Sequence, residues 1–479
     1  MAHTNPAAKG EQATGALPAA RAARKPLCYY GDDFTGSTDV LEALFRTGLR
    51  TVLFLEPPDA SMLGQERFAA MDAFGVAGVG RSLTPEEAER TLRPIFATLK
   101  SSGAAIVHYK ICSTFDSSPG IGNIGTAAAI GRETFGEGYI PLVVGVPYLG
   151  RYTVFGHHFA RAGEAVHRLD RHPTMSRHPI TPMKESDLRV HLSEQCDDRI
   201  SLLDLTEQDA ELPVVRERLK RRVAEERPDL LLFDVLDEQR LERVGQLLWQ
   251  EAQSREGMFV IGSSGIEYAL GAAWQALRLP ELQPDRAAVA RAYPVDRLLV
   301  VSGSCSPVTE EQIGEAMKLG FTGIRVPVDE LIDPERAKQA RNRLLAEATE
   351  RLERGESVIL YSASGPDDPG IAEFRRALLA QGFRAEDSSK LLGGLLGELV
   401  RTVIEHSGLK RLVVAGGDTS GYVTRELGIF ALECVSVLAP GAPLCRASSA
   451  SPQLDGLELI LKGGQVGERD FFQRAKNGG

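Results

Sequence analysis

Asp32 and Asp33 follow the short apolar stretch 27–30 after a single glycine, Gly31, and precede Phe-Thr-Gly-Ser. Two adjacent carboxylates at a strand end suit a hydroxyl-activating base, a metal ligand, or both. The plainer use is that one caps the next helix while the other faces water. Asp33 is the first candidate for the residue that orients and deprotonates an attacking hydroxyl, with Asp32 the second. Lys110 closes another apolar run, and Ser113, Thr114 and Asp116 follow it in the loop CSTFDSS. A lysine there can hold a carboxylate as a point charge, or it can simply be solvated. Arg171, His172, Arg177 and His178 cluster in the segment 148–183. They offer cationic and hydroxyl-reading donors for a small acid, or they brace a lid. Their spacing is not HExxH, so no metal site is expected from them.

The second half carries a different chemistry. Gly416-Gly417-Asp418-Thr419-Ser420-Gly421 joins an apolar run to a helical one, and Ser302 to Ser306 does the same further upstream. Successive backbone N–H groups at a helix start form a cradle for phosphates, and Ser302, Ser304, Gly416, Gly417, Asp418 and Thr419 are its candidate residues. Neither loop is GxxxxGK[ST], which excludes a P-loop, and no GxGxxG opens the first strand–helix unit, which leaves a dinucleotide fold unsupported. Two later small-residue loops, one around Gly441 and one around Gly464, are candidates to hold a flat ring and its sugar. Taken singly, each is ordinary turn chemistry.

These residues need elements to hold them. Strands are expected at 27–30, 51–55, 104–110, 142–146, 230–235 and 258–262, alternating with helices at 38–47, 86–99, 125–135, 185–195, 215–226 and 239–250. The same rhythm returns with strands at 297–301, 357–361, 412–415 and 457–462 and helices at 310–319 and 390–407. Strand–loop–helix alternation of this kind predicts an α/β fold of two domains. Each would be an open, mostly parallel sheet with flanking helices, with the site in the cleft between them. The boundary is expected within 279–294, which is charged and contains proline. The segment 148–183 breaks the rhythm and predicts a long irregular loop.

Composition narrows the class. The chain has 479 residues, 43% hydrophobic and 25% charged, which is globular rather than disordered. Its net charge of −10 leaves no global basic surface for nucleic acid. An anionic substrate must then be held by local donors. No apolar run reaches the length of a membrane span. The six cysteines are scattered without a CxxC pair, which fits reduced thiols and a cytoplasmic protein. Residues 1–26 read as a disordered lead. Self-association into a homo-oligomer is left open.

At GDDFTGS, CSTFDS with the later GNIG, HPxTPM, GSCSPVT, GGDTSG and LKGGQVG the chain resembles the four-carbon acid sugar kinase family. The resemblance implies a sugar-acid-binding domain at 27–280 and a nucleotide-binding domain at 295–474. It implies ATP and Mg²⁺ as cofactors and transfer of the γ-phosphoryl group to a hydroxyl of threonate, erythronate or a 3-oxo-tetronate. Asp32, Asp33 and the CSTFDS loop would then face the acid. Ser304, the stretch 416–419 and Gly464 would touch ATP. Asp418 stands where members tend to have Glu, and KGGQVG where many have KSGNFG. The DRHPTMSRHP stretch points to a second substrate, a branched acid such as 3-oxo-isoapionate. A non-catalytic sugar-acid binder on the same fold is the reading from another class; two retained phosphate-like loops argue against it.

Overall fold

The computed structural model describes residues 24–136, 138–178, 180–279, 292–384 and 387–479. The expected lead at 1–26 therefore lies almost wholly outside the described residues, as does most of the boundary expected at 279–294. The first half contains strands β1 (Leu27–Gly31), β2 (Thr51–Phe54), β3 (Ala73–Ala77), β4 (Ile106–Lys110) and β5 (Ile140–Val143). It continues with β6 (Arg151–Val154), β7 (His157–Ala162), β8 (Ala165–Arg168), β9 (Ile200–Leu203), β10 (Leu230–Phe233) and β11 (Met258–Gly262). The second half adds β12 (Leu299–Ser302), β13 (Thr322–Arg325), β14 (Val358–Tyr361), β15 (Arg411–Ala415), β16 (Ile429–Ala439), β17 (Ala442–Ser449) and β18 (Glu458–Lys462).

Each half is an α/β domain with a mostly parallel sheet. In the first, β2, β3, β1, β4, β11, β5, β10 and β9 lie side by side and parallel; in the second, β13, β14, β12, β15 and β18 do. Helices cover both faces, so these strands are buried apolar runs such as LVVS and RLVVA.

The two blocks meet at an antiparallel hairpin. β17 pairs with β18, β16 with β17, and β16 with β2, joining all the main strands into one sheet. Three successive antiparallel pairings leave β1 and β15 opposed in direction. Yet β18, β17, β16, β2 and β3 lie between them, and six steps of about 20–25° turn the strand direction by roughly 120–150°. Twist of this size offsets most of the opposition. The helix after β15 meets the loops after β1 and β3, with Arg425 Nη2 donating to Ala77 O at 3.3 Å, so these strand ends face a common crevice, the place where an open α/β sheet presents its ligand loops. The helix Phe34–Arg46, which follows β1, lies across that junction. Its residue Glu42 is buried and accepts from Gly441 N at 2.8 Å in the β16–β17 turn.

Two expectations are corrected. The first helix begins at Phe34, not at residue 38, because Asp33 caps it and accepts from Gly36 N at 3.0 Å. The segment 148–183 is not an irregular loop. Strands β6, β7 and β8 form a small antiparallel sheet, followed by 3₁₀ turns at Leu169–Arg171 and Met175–Arg177. Its strands bury few apolar residues, so the two-residue alternation is faint in the sequence. Polar anchors dock it instead: Asp234, at the end of β10, accepts from Phe155 N at 2.6 Å and Gly156 N at 2.9 Å. Strands β3, β9, β13, β16 and β17 are absent from the expected set; in β3 and β13 an internal glycine, Gly75 and Gly323, blurs the apolar run.

Candidate active site

The first half of the site is a charged cluster at the carboxyl ends of β1, β3 and β4. Asp32 N donates to Lys110 O at 2.9 Å, which locks the two strand ends together. The Asp32 side chain is buried, and its Oδ1 has no hydrogen-bond partner among the described residues. Burial, reinforced by the charge of Asp33, pushes its carboxyl up to about 8 against the pull of Lys110 and Arg81. Asp33 divides its oxygens. Oδ1 caps the helix, and Oδ2 meets Arg81 Nη2 at 3.1 Å.

Lys110 is also buried. Burial works against its charge, but Asp39, Asp33 and Asp32 outweigh it and hold its ammonium above the ordinary range. A Cβ on Gly36 would lie 2.6 Å from Lys110 Nζ, so the glycine leaves the room that the ammonium fills. In the loop after β4, Thr114 Oγ1 donates to Asp116 Oδ1 at 2.7 Å, and Asp116 Oδ2 lies 3.5 Å from Arg81 Nη1. Phe115 sits between them in the left-handed region at φ 57° and is fully buried, a strained turn held by its surroundings. Ser113 O accepts from His158 Nε2 at 2.8 Å. Burial depresses that imidazole to about 4, so a neutral histidine ties the small sheet to the loop.

Arg81 was not singled out from the sequence, although it follows the apolar stretch AFGVA, which is β3, by only a few residues. Arg171 and His172, by contrast, belong to the small lobe. Arg171 is 77% exposed and 3.8 Å from Asp170. His172 Nδ1 accepts from Thr174 N and Met175 N, both at 3.2 Å, which makes it a turn brace. In the GNIG stretch, Ile124 N donates to Gln195 Oε1 and Thr126 N to Asn123 Oδ1.

The second half of the site gathers three strand-end loops. The helices Pro307–Lys318 and Gly417–Glu426 both begin there without a side-chain cap, so two positive helix ends share one place. Gly416 adopts φ 129°, and a Cβ on it would press within 2.9 Å of Thr419 Oγ1. A Cβ on Gly303 would come closer still to Thr419 Oγ1. A Cβ on Gly464 would lie 2.6 Å from Ser304 Oγ, and Gly464 O accepts from Ser306 Oγ at 2.7 Å and Thr309 Oγ1 at 2.8 Å. Ser302 O accepts from Ser362 N at 3.0 Å, linking the neighbouring loop. The side chain of Asp418 lies outside the described part of the structure. Gly441 turns the β16–β17 hairpin and donates to Glu42, which leaves its place in a ring pocket unsupported by contacts. A cavity of about 180 Å³ opens elsewhere, beside Gly303, and is lined by Ser362, Ala363, Phe374 and Leu392.

Lys462, at the end of β18, is the cation of this half. It is buried, its Nζ donates to Thr309 Oγ1 at 3.2 Å, and burial lowers it to about 8. The two halves touch directly. A Cβ on Gly417 would meet Thr35 Oγ1 at 3.4 Å, and the Arg425 guanidinium lies 5.9 Å from the centre of the Phe34 ring. The carboxylate cluster and the anion cradle therefore face one crevice. Among the described residues no group of three or more His, Cys, Asp or Glu side chains could hold a metal on its own, and no helix is long and apolar enough to cross a membrane.

A carboxylate pair beside a phosphate cradle is the arrangement of a two-domain phosphotransferase, and the comparisons agree. Residues 27–270 match a sugar-binding N-terminal domain model and residues 299–472 a nucleotide-binding C-terminal domain model. The chain belongs to the four-carbon acid sugar kinase family, whose members are ATP-dependent sugar-acid kinases. It is 45% identical over 94% of its length, and 94% of the relative's, to a 3-oxo-isoapionate kinase of Paraburkholderia graminis. It is 30% identical over 93% of its length, and 97% of the relative's, to a 3-oxo-tetronate kinase of Pectobacterium atrosepticum. A crystal structure from Salmonella typhimurium, described as a putative tRNA synthase, superposes with a TM-score of 0.77 at 26% identity, covering 94% of this chain and 98% of that one.

Proposed function

We propose that the chain phosphorylates a branched, oxidised sugar acid of the 3-oxo-isoapionate type. The observation that carries this choice is the 45% identity to a kinase of that acid, against 30% to a kinase of 3-oxo-tetronate, at similar coverage. It favours the branched acid over the tetronate type that the motifs brought forward first. The acid is held at the ends of β1, β3 and β4, with Lys110, Ser113, Thr114 and Asp116 around it. Arg171 and His172 act at most through the small lobe. ATP lies in the second half, its phosphates over Ser302, Ser304, Gly416, Gly417 and Thr419, with Lys462 beneath them. Gly464 closes the cradle, and the cavity beside Gly303 takes the base.

The acceptor hydroxyl oxygen attacks the γ-phosphorus as the bond to the β–γ bridging oxygen breaks, and ADP leaves. The hydroxyl proton passes to Asp33. Two observations favour Asp33 over Asp32 for this task. Its side chain is 17% exposed while Asp32 is buried, and it lies two residues from Thr35, whose Oγ1 would be 3.4 Å from a Cβ on Gly417. Mg²⁺ in such enzymes is held mainly by the phosphates and water, with one or two carboxylates. The unpartnered Oδ1 of Asp32 would hold the ion, with the Asp32 carboxyl losing its proton as the ion binds. When bound, the ion would neutralise phosphate charge.

The test is ³¹P NMR of the chain with ATP, Mg²⁺ and a panel of sugar acids. The reading expects ADP and a new phosphomonoester in equal amounts with 3-oxo-isoapionate. ADP without a phosphorylated acid, or no turnover with any acid, would refute it.

A further inference from the structure

An anionic substrate entering a cluster of carboxylates needs a cation that can reach it. Lys110 is buried against Gly36, within the fields of Asp39, Asp33 and Asp32. Arg81 differs. Its side chain is 33% exposed, and one guanidinium bridges two carboxylates, Asp33 at 3.1 Å and Asp116 at 3.5 Å. Its backbone is fixed from both sides. Arg81 N donates to Asp32 O at 2.9 Å, and Gly122 packs so close that a Cβ there would lie 2.8 Å from Arg81 O. The guanidinium is thus presented from a rigid turn, while its head is shared unevenly between two partners. A carboxylate that matches the guanidinium fork in two-point fashion competes well with such a divided arrangement.

We infer that Arg81 binds the carboxylate of the sugar acid and gives up its bond to Asp33 as it does so. Asp33 is then freed to receive the acceptor hydroxyl only when an acid occupies the site. An acid-free site keeps Asp33 tied to Arg81 and to Gly36 N, which withholds the base from water and limits wasteful hydrolysis of ATP. The inference rests on the kinase reading above and adds the residue by which the site tells an acid from a neutral sugar.

The experiment compares kcat and KM for the acid that turns over and for its carboxamide, in the wild type, Arg81→Gln and Arg81→Lys. The wild type should prefer the acid. Arg81→Gln should raise KM for the acid roughly 10–100-fold, in the range of a charged hydrogen bond, and change KM for the carboxamide little. Arg81→Lys should recover part of the loss. In the wild-type chain the acid should also shield Arg81 from an arginine-directed dicarbonyl reagent, followed by mass spectrometry, and the carboxamide should not. An unchanged preference in a folded Arg81→Gln, or no shielding by saturating acid, overturns the inference. Should the wild type turn over no acid, the kinase reading falls, and the shielding measurement still decides whether Arg81 binds a carboxylate.

Discussion

Asp33 and Asp32 are neighbours in sequence and opposites in environment. Asp33 reaches the crevice and is held by a helix amide and an arginine; Asp32 is buried with one bare oxygen. Removing the base should cost about 10²–10⁴ in rate, so Asp33→Asn should lose kcat by that factor while still binding ATP. Asp32→Asn should show the smaller kcat loss. Steady-state kinetics on both variants checks the ranking, and the reverse order would transfer the role to Asp32. Lys462 supplies a second prediction. Burial lowers its ammonium to about 8 in the nucleotide-free chain, so it is charged below that pH and neutral above it. Phosphates favour the charged form, so ATP affinity should hold steady up to about pH 8 and fall beyond. Lys462→Met should weaken ATP binding roughly 10–100-fold at pH 7 and remove that decline. A decline that persists in the variant would assign it to another group. Asp33, Lys110 and the small-residue loops were legible in the sequence because strand ends and motifs announce them. Arg81 and the buried setting of Lys462 were not, because a lone cation looks like any solvated one until its neighbours are known.

Helix starts set the site, and they were only partly legible. The helix Gly417–Glu426 was expected from GGDTSG, whereas the start of Phe34–Arg46 was placed too late because Thr-Gly-Ser reads as a turn until Asp33 is known to be the cap. The small sheet β6–β8 was hidden for a related reason. Its docking depends on Asp234 and His158, and no local pattern encodes such long-range polar bonds. A prediction follows for the uncapped helix. Gly417 has an ordinary φ, and a Cβ there meets Thr35 Oγ1 at 3.4 Å, which is plain contact. Gly417→Val should therefore fold and melt close to wild type, yet fill the space where a phosphate would rest. Calorimetric titration with ATP should find binding weakened at least tenfold. Unchanged affinity in a folded variant would place the cradle on another loop.

At the scale of the whole molecule, the strand–helix rhythm announced two α/β units, and their connection was invisible. Nothing in ECVSVLA or LCRASS tells that this hairpin pairs with β2, more than three hundred residues earlier in the chain, because edge pairing across that distance is chosen by the assembled sheet. The join is reinforced by Arg50–Glu433 at 2.7 Å and by Glu42 on Gly441. It holds the carboxyl ends of β1 and β4 toward the loops after β12, β15 and β18. The proposed function has this shared crevice transfer a phosphoryl group to a branched, oxidised acid. The most direct measurement is a competition in which equimolar 3-oxo-isoapionate and 3-oxo-tetronate meet the chain with limiting ATP and Mg²⁺, with the two phosphorylated products resolved by mass spectrometry. Phosphorylated 3-oxo-isoapionate should dominate by at least about tenfold, equivalent to roughly 1.4 kcal/mol of discrimination. Equal products, or an excess of phosphorylated 3-oxo-tetronate, would contradict it.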